Sequence, residues 1–400
     1  MKKSLFGYGL TTRALSKSGG WDIYDDKFET LQSDEHGNCL RNPRDFDPSL
    51  SELEIPSPGF PSTHELVKKA QNLTSEYDYF LDPSKLHPKS VWISGTNGKT
   101  TTTKMTEWLL RGVGAQMGGN VGVPLAYLDP AAPLWILETS SFTMHYTRLA
   151  APEIYALLPI TPDHLSWHGN MAEYERAKLS PLALMKEGAV AIIPAKYAGA
   201  KTCAKVVAYE NEADLAAKFE LDLAKIKFEV PFLADAVLAL SIAKLITGKA
   251  DYERINSFVI EGNKLEEFHD ARGRTWVNDT KATNIDAAIW ALRRYAGRDI
   301  CLILGGDDKG VDLSPVFEEM RGLKVRVYAI GSNAERVMEL AKKYGVPATK
   351  CVELTAAVKA MSADMSGEQI GILSPACASL DQFSSYVERG ETFKKAVLAL

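Results

Sequence analysis

The segment SVWISGTNGKTTTTKMTEWLLRGVG, residues 90–114, constrains this chain more than any other. Its β-branched and aromatic start reads as a buried strand, and the remainder as a turn that opens a helix. The long pattern G-x-x-x-x-G-K-[ST] is not met, because Ile93 stands five residues before Gly98. A shorter G-x-x-G-K-T-T form begins at Gly95. Gly95, Thr96, Asn97 and Gly98 can turn backbone N–H groups inward around a phosphate. Lys99 places an ammonium among the phosphate oxygens, and Thr100, followed by Thr101, can offer a hydroxyl to Mg²⁺. A Gly/Thr-rich turn with a solvated lysine is the plain alternative.

Short apolar runs recur along the rest of the chain. They stand at KSLFGYGL, WDIYDD, LWILE (134–138), EIYALLPI (153–160) and AVAIIP (189–194), then at TWVNDT, ICLILGG, VRVYAIG and QIGILSP. Helix-like stretches separate them, which indicates α/β architecture with mostly parallel sheets. At about 100–200 residues per domain, 400 residues allow two to four domains. The polar, Pro-containing stretch LDPSKLHPKS marks one boundary, and the blocks 1–88, 89–260 and 261–400 follow. The expected fold is three consecutive Rossmann-like α/β domains, the central one an ATPase domain of the phosphate-loop type.

Forty-six basic against 51 acidic side chains leave a net charge of −5. That balance argues against non-specific nucleic-acid binding, which depends on Lys and Arg displacing counterions from phosphates, and still permits a local basic pocket for an anionic small molecule. No apolar run approaches the roughly 20 residues needed to cross a membrane. Five dispersed cysteines supply neither a disulfide framework nor a thiolate zinc site, and a cytoplasmic location is expected.

The other candidates sit at strand ends, where open parallel sheets bind ligands. Glu138 closes LWILE, where it can hold a hard cation such as Mg²⁺ or serve as a strand-end cap or salt bridge. TPDHLSWHG carries Asp163, His164 and His168; both histidines are equally readable as loop residues. Lys178, in YERAKLSPL, reads by spacing as an exposed helix lysine. GGNVGVP (118–124) is a second glycine turn, whose Asn120 and N–H groups can meet a polar ligand or whose glycines serve backbone geometry alone. FGYGLTTRAL puts Gly7 and Gly9 between strand and helix, with Leu10, Thr11 and Thr12 at the mouth. Diphosphate binding and simple tight packing both fit it, since residue 12 is Thr where a dinucleotide fingerprint has Gly. Asp25 and Asp26 suit a ribose or uracil contact, or a cap. Asp279, Lys281 and Thr283, then Asp307, Asp308 and Lys309, then Ser374, Ser379 and Asp381 mark three further polar strand ends. They suggest a small polar substrate whose carboxylate would suit Lys309.

GTNGKTTT, the glutamate of LETSSF, the histidine of TPDHL, the lysine of ERAKLS and NDTKATN occur in that order, followed by LGGDDKG and SPACASLDQF. On these motifs the chain resembles the Mur ligases, the ATP-dependent amide ligases of peptidoglycan precursor synthesis, over essentially its whole length. It is most similar to the member that joins D-glutamate to UDP-N-acetylmuramoyl-L-alanine. The resemblance implies that Lys99 and Thr100 serve ATP and Mg²⁺, and that Glu138 and His164 help hold two Mg²⁺ ions. It also implies that Lys178 is carbamylated by CO₂ into an anionic metal ligand, which displaces the plain reading of that lysine. Asp279 would contact the nucleotide ribose, and Lys264 would stand in the nucleotide site. Thr283, Lys309, Ser379 and Leu380 would line the D-glutamate pocket, with Lys281 and Tyr386 beside it. Gly9, Leu10, Thr11, Thr12, Asn120 and Gly122 would meet the UDP-sugar, and the chain would act as a monomer. It departs from the family at Pro231, Phe232 and Asp235, where a His-Asn-x-x-Asn stretch is common. It departs again at Asn263–Lys264 in place of His-Arg, and at Tyr386 in place of Phe. A related ligase acting on another amino acid or on folate, and a non-catalytic nucleotide-binding module, are the other two readings.

Overall fold

The apolar runs become strands buried on both sides, as parallel sheets covered by helices require. Leu134–Glu138 and Ile300–Gly305 are buried at every position. The computed structural model describes Lys2–Leu400 and arranges these strands in three sheets. The first runs Gln32–Ser33, Cys39–Arg41, Trp21–Tyr24, Lys2–Phe6, Ser51–Pro56, parallel except for its first pair. The second runs Lys205–Tyr209, Val190–Pro194, Ile154–Leu157, Lys89–Ser94, Leu134–Glu138, Ala115–Gly119 and is parallel throughout. The third runs Glu266–His269, Thr275–Asn278, Ile370–Leu373, Ile300–Gly305, Val325–Ile330, Ala348–Val352, with only its first pair antiparallel. Three consecutive Rossmann-like α/β domains are therefore present, as expected. In the second sheet the chain lays its next two strands on one side of Lys89–Ser94, the edge strand first, and the following three outward on the other. That order places a topological switch point at the carboxyl end of the phosphate-loop strand.

Two compact units result: residues through Ile160 with Ala172–Phe258, and Thr161–Met171 with Val259–Leu400. The first unit thus contains two sheets, and the short helix Glu76–Phe80 fastens one to the other. Asp78 accepts backbone N–H groups of Arg148 (2.8 Å), Leu149 (2.9 Å) and Ala150 (2.8 Å). The Tyr77 hydroxyl donates to the Glu138 carbonyl at 3.2 Å, and Glu76 Oε1 accepts from Leu125 N at 2.8 Å. Burial pushes the Glu76 carboxyl up to about 7. Folding therefore takes up a proton here, so this residue's contribution to stability falls as pH rises from about 4.5 through 7. The loss amounts to roughly 3 kcal/mol. Glu76→Gln, which keeps the acceptor without the charge, is expected to melt higher than wild type at pH 8. The advantage should vanish near pH 5, and a melting difference independent of pH would contradict the assignment.

Candidate active site

The strand Lys89–Ser94 runs into the glycine turn, and the helix Lys99–Leu110 starts immediately after it. Two glycines make the turn possible. Gly95 lies at φ +137° with Leu158 against its Cα, and a Cβ there would stand 2.5 Å from the Leu158 Cβ. Gly98 lies at φ +83°, and its Cβ would stand 2.2 Å from Asp235 Oδ1. Asp235, on the helix Phe232–Thr247, accepts the Thr102 hydroxyl at 3.0 Å and so braces the first turn of the phosphate helix. Lys99 Nζ donates to the Thr96 carbonyl at 2.7 Å. Lysine and threonine thus stand at a helix N-terminus beside a glycine turn, an arrangement suited to a polyphosphate.

Glu138 pairs in register with Ile93 of the neighbouring strand and is 2% exposed. Asn120 Nδ2 donates to its Oε1 at 2.6 Å, while the buried Oε2 has no hydrogen-bond partner. A buried carboxylate oxygen left unpaired fits a hard cation. Among the described residues no group of three or more His, Cys, Asp or Glu side chains forms a metal cage.

Lys178 is not the exposed helix residue that its spacing suggests; it is 1% exposed. The helix Met171–Leu184 turns it inward, and Nζ donates to the Gly95 carbonyl at 2.7 Å and contacts Ser94 Oγ at 3.4 Å. Its ammonium lies 4.9 Å from the Tyr174 ring centre, and the Tyr155 hydroxyl donates to the Lys178 carbonyl at 2.6 Å. Pro181 removes the N–H that would bond Ala177, and the Ser180 hydroxyl donates to that carbonyl instead, at 2.9 Å. Tyr174 and Tyr155 are site residues that sequence reasoning missed. Tyr174, four residues before Lys178 and so on the same helix face, carried the one available signal.

His164 belongs to Thr161–Met171, the segment grouped with the second unit. It lies at φ +53°, its N–H donating to Asp163 Oδ1 at 2.8 Å. The same Asp163 oxygen accepts Lys309 Nζ at 3.0 Å, both side chains being largely buried. Nearby, Asp279 is enclosed; burial pushes its carboxyl up to about 7, while the Ser374 hydroxyl (2.7 Å) and Leu265 N (3.2 Å) donate to it. Lys264 lowers it by its charge. Lys281 Nζ stands 5.6 Å from the Tyr386 ring centre, Thr283 N donates to the Lys281 carbonyl, Ser379 is buried and Leu380 is exposed. Asp308 and Asp381 are loop staples: Asp308 accepts Arg336 Nη1 at 2.8 Å, and Asp381 accepts Ser332 N at 2.8 Å. Cys377 is buried, and its thiol is pushed up to about 12 by burial.

In the first sheet, Gly7 and Gly9 precede the helix Leu10–Ser16. Thr12 Oγ1 accepts Gly9 N at 3.0 Å, Leu10 is exposed and Thr11 is half-buried. Asp25 is a turn staple, accepting Tyr8 N at 2.6 Å and Lys27 N at 3.0 Å. Gly118 and Gly119 end the edge strand Ala115–Gly119, and Gly122 lies at φ +98° in the turn beyond, with open space around its Cα.

The profile of the Mur ligase middle domain matches residues 93–231. The UDP-N-acetylmuramoylalanine–D-glutamate ligase of Campylobacter jejuni (strain RM1221) is 56% identical over 402 residues, covering 99% of both chains. The ligase of the same name from Helicobacter pylori (strain 26695) is 44% identical over 420 residues, covering 100% of both. Among solved structures, MurF from Acinetobacter baumannii superposes with a TM-score of 0.63 at 15% identity, covering 99% of this chain and 93% of that one. At that identity the likeness concerns the fold.

Proposed function

This chain belongs to the Mur ligase family, and we propose that it joins D-glutamate to the L-alanyl carboxylate of UDP-N-acetylmuramoyl-L-alanine at the expense of ATP. The observation that carries the chemistry is one cluster at the switch point of the central sheet. There the phosphate loop, the unpaired oxygen of Glu138 and the buried amine of Lys178 share a strand edge. The choice of amino acid and sugar nucleotide is supported by the relatives, which match over the full length. Residues 1–88 take the UDP-sugar, 89–260 take ATP and 261–400 take the amino acid.

A carboxylate is a poor electrophile, so the γ-phosphoryl group of ATP is first transferred to it. The acyl phosphate is attacked by the glutamate amine, a tetrahedral intermediate forms, and phosphate leaves. Lys99 and the loop amides meet the charge that spreads over the phosphoryl oxygens during transfer. Thr100, Glu138, His164 and carbamylated Lys178 would hold two Mg²⁺ ions, whose chemistry would be Lewis-acid neutralisation of phosphate charge. Asp279 receives the ribose hydroxyls, and Lys309 and Ser379 receive the glutamate. The direct test offers ATP, Mg²⁺ and UDP-N-acetylmuramoyl-L-alanine with individual amino acids and reads the mass of the coupled product. Coupling of D-glutamate alone supports the reading; coupling of another amino acid in its place, or none, defeats it.

Lys309 offers a sharper check. A hydrogen bond to a charged group contributes about 1.5–3 kcal/mol, so Lys309→Ala should raise the KM for D-glutamate roughly tenfold to a hundredfold. The KM for ATP should stay near wild type. Equal changes in both would remove Lys309 from the amino-acid pocket.

A further inference from the structure

Arg389, on the helix Tyr386–Leu398, is 1% exposed and makes no ion pair among the described residues. All its partners are neutral. Nε donates to Thr280 Oγ1 (3.0 Å), Nη2 to the carbonyls of Thr280 (2.9 Å) and Cys377 (3.1 Å), and Nη1 to the Ala378 carbonyl (3.1 Å). Thr280 Oγ1 in turn donates to the Tyr386 carbonyl at 2.9 Å. Ala378 pairs through its backbone with Asp307, at 2.8 and 3.1 Å. One guanidinium thus ties together the loops that follow Thr275–Asn278 and Ile370–Leu373. Through Ala378 it also reaches the loop after Ile300–Gly305, which carries Lys309.

A buried cation with no counter-ion is costly, by several kcal/mol even after relaxation. A staple that engages only carbonyls and one hydroxyl does not need a charge. Two acidic groups act on Arg389: the buried Cys377 thiol, pushed up to about 12 and so neutral, and Asp381, which is exposed and already accepts Ser332 N. Burial brings the guanidinium down to about 10, so it is charged at neutral pH. No ion-pair partner stands beside it among the described residues, and the three loops that Arg389 fixes are those assigned to an anionic amino acid.

We propose that Arg389 is the positioning residue of the amino-acid pocket, holding its three loops in register and keeping under them a positive charge that the carboxylates of a dicarboxylic amino acid complete. The inference rests on the D-glutamate reading. Arg389→Gln, which removes the charge, should raise the KM for D-glutamate at least about tenfold while the KM for ATP stays within about twofold. Arg389→Lys keeps the charge but loses the planar fork that spans two loops, so its rise should be smaller, about threefold. Thr280→Val removes one acceptor at nearly constant volume and should give a selective rise of about twofold. It decides the matter if the Arg389 variants do not fold. A melting temperature lowered with the D-glutamate KM unmoved, or both KM values rising alike, overturns the proposal. If wild type couples no D-glutamate, the functional reading fails; if it does and these variants keep its KM, only the role of Arg389 fails.

Discussion

Lys99→Ala is expected to slow product formation by about three orders of magnitude or more, with ATP saturating. Lys99 is the cation that the fold delivers to the phosphate turn, because Gly98 at φ +83° starts the helix one residue before it. Its ammonium rests on the Thr96 carbonyl at 2.7 Å, within the loop that would receive the phosphates. Backbone amides supply partial charges only, so the loop glycines cannot replace a full positive charge as the phosphoryl group transfers. Stability should change little, since the helix N-terminus at Gly98 does not depend on this side chain. Single-turnover measurement of acyl transfer reads the effect. A decrease of only a few-fold would remove Lys99 from the transfer step.

Lys178→Ala should be almost inactive, and wild type should carry a carbamate on this lysine. Nζ already donates to the Gly95 carbonyl. A carbamate nitrogen keeps one hydrogen for that bond while adding two hard oxygens, which suit Mg²⁺ where an ammonium repels it. The reaction consumes a neutral amine and CO₂, so the modified fraction should rise with pH and with dissolved CO₂. Lys178 is buried, so the alanine variant also leaves a cavity and is expected to be less stable than wild type. Its inactivity alone is therefore not diagnostic. Acetate is expected to enter that cavity and restore part of the activity, whereas Lys178→Arg, with the space filled, should show no rescue. The deciding measurement is a ¹³C signal after incubation with labelled bicarbonate, present in wild type and absent in Lys178→Ala. A fully active wild type without that signal would falsify the carbamate.

Much of the fold was legible because buried parallel strands are short, nearly continuous apolar runs. LWILE and ICLILG had no other place to go. The strands that escaped notice lie toward sheet edges. Ala115–Gly119 ends in two glycines and so reads as a turn, yet those glycines are required by packing. A Cβ on Gly118 would stand 2.7 Å from the Leu128 side chain, and one on Gly119 would stand 2.4 Å from the Glu138 carbonyl. Glu266–His269 pairs on one side only and alternates half-buried with exposed residues, so no apolar run announces it.

The phosphate turn is written in the chain locally, because glycine, lysine and threonine act there through backbone geometry over a few consecutive residues. The central strands were equally legible, through their short apolar runs. Which polar residues meet depends on how distant segments pack. Lys178 and Gly95 stand 83 positions apart, Lys309 and Asp163 stand 146 apart, and Arg389 and Thr280 stand 109 apart. A lysine on a helix carries the same local signal whether it faces water or a phosphate loop. What distinguishes the two is the burial imposed by packing, which brings distant segments together and leaves each buried charge to find a partner.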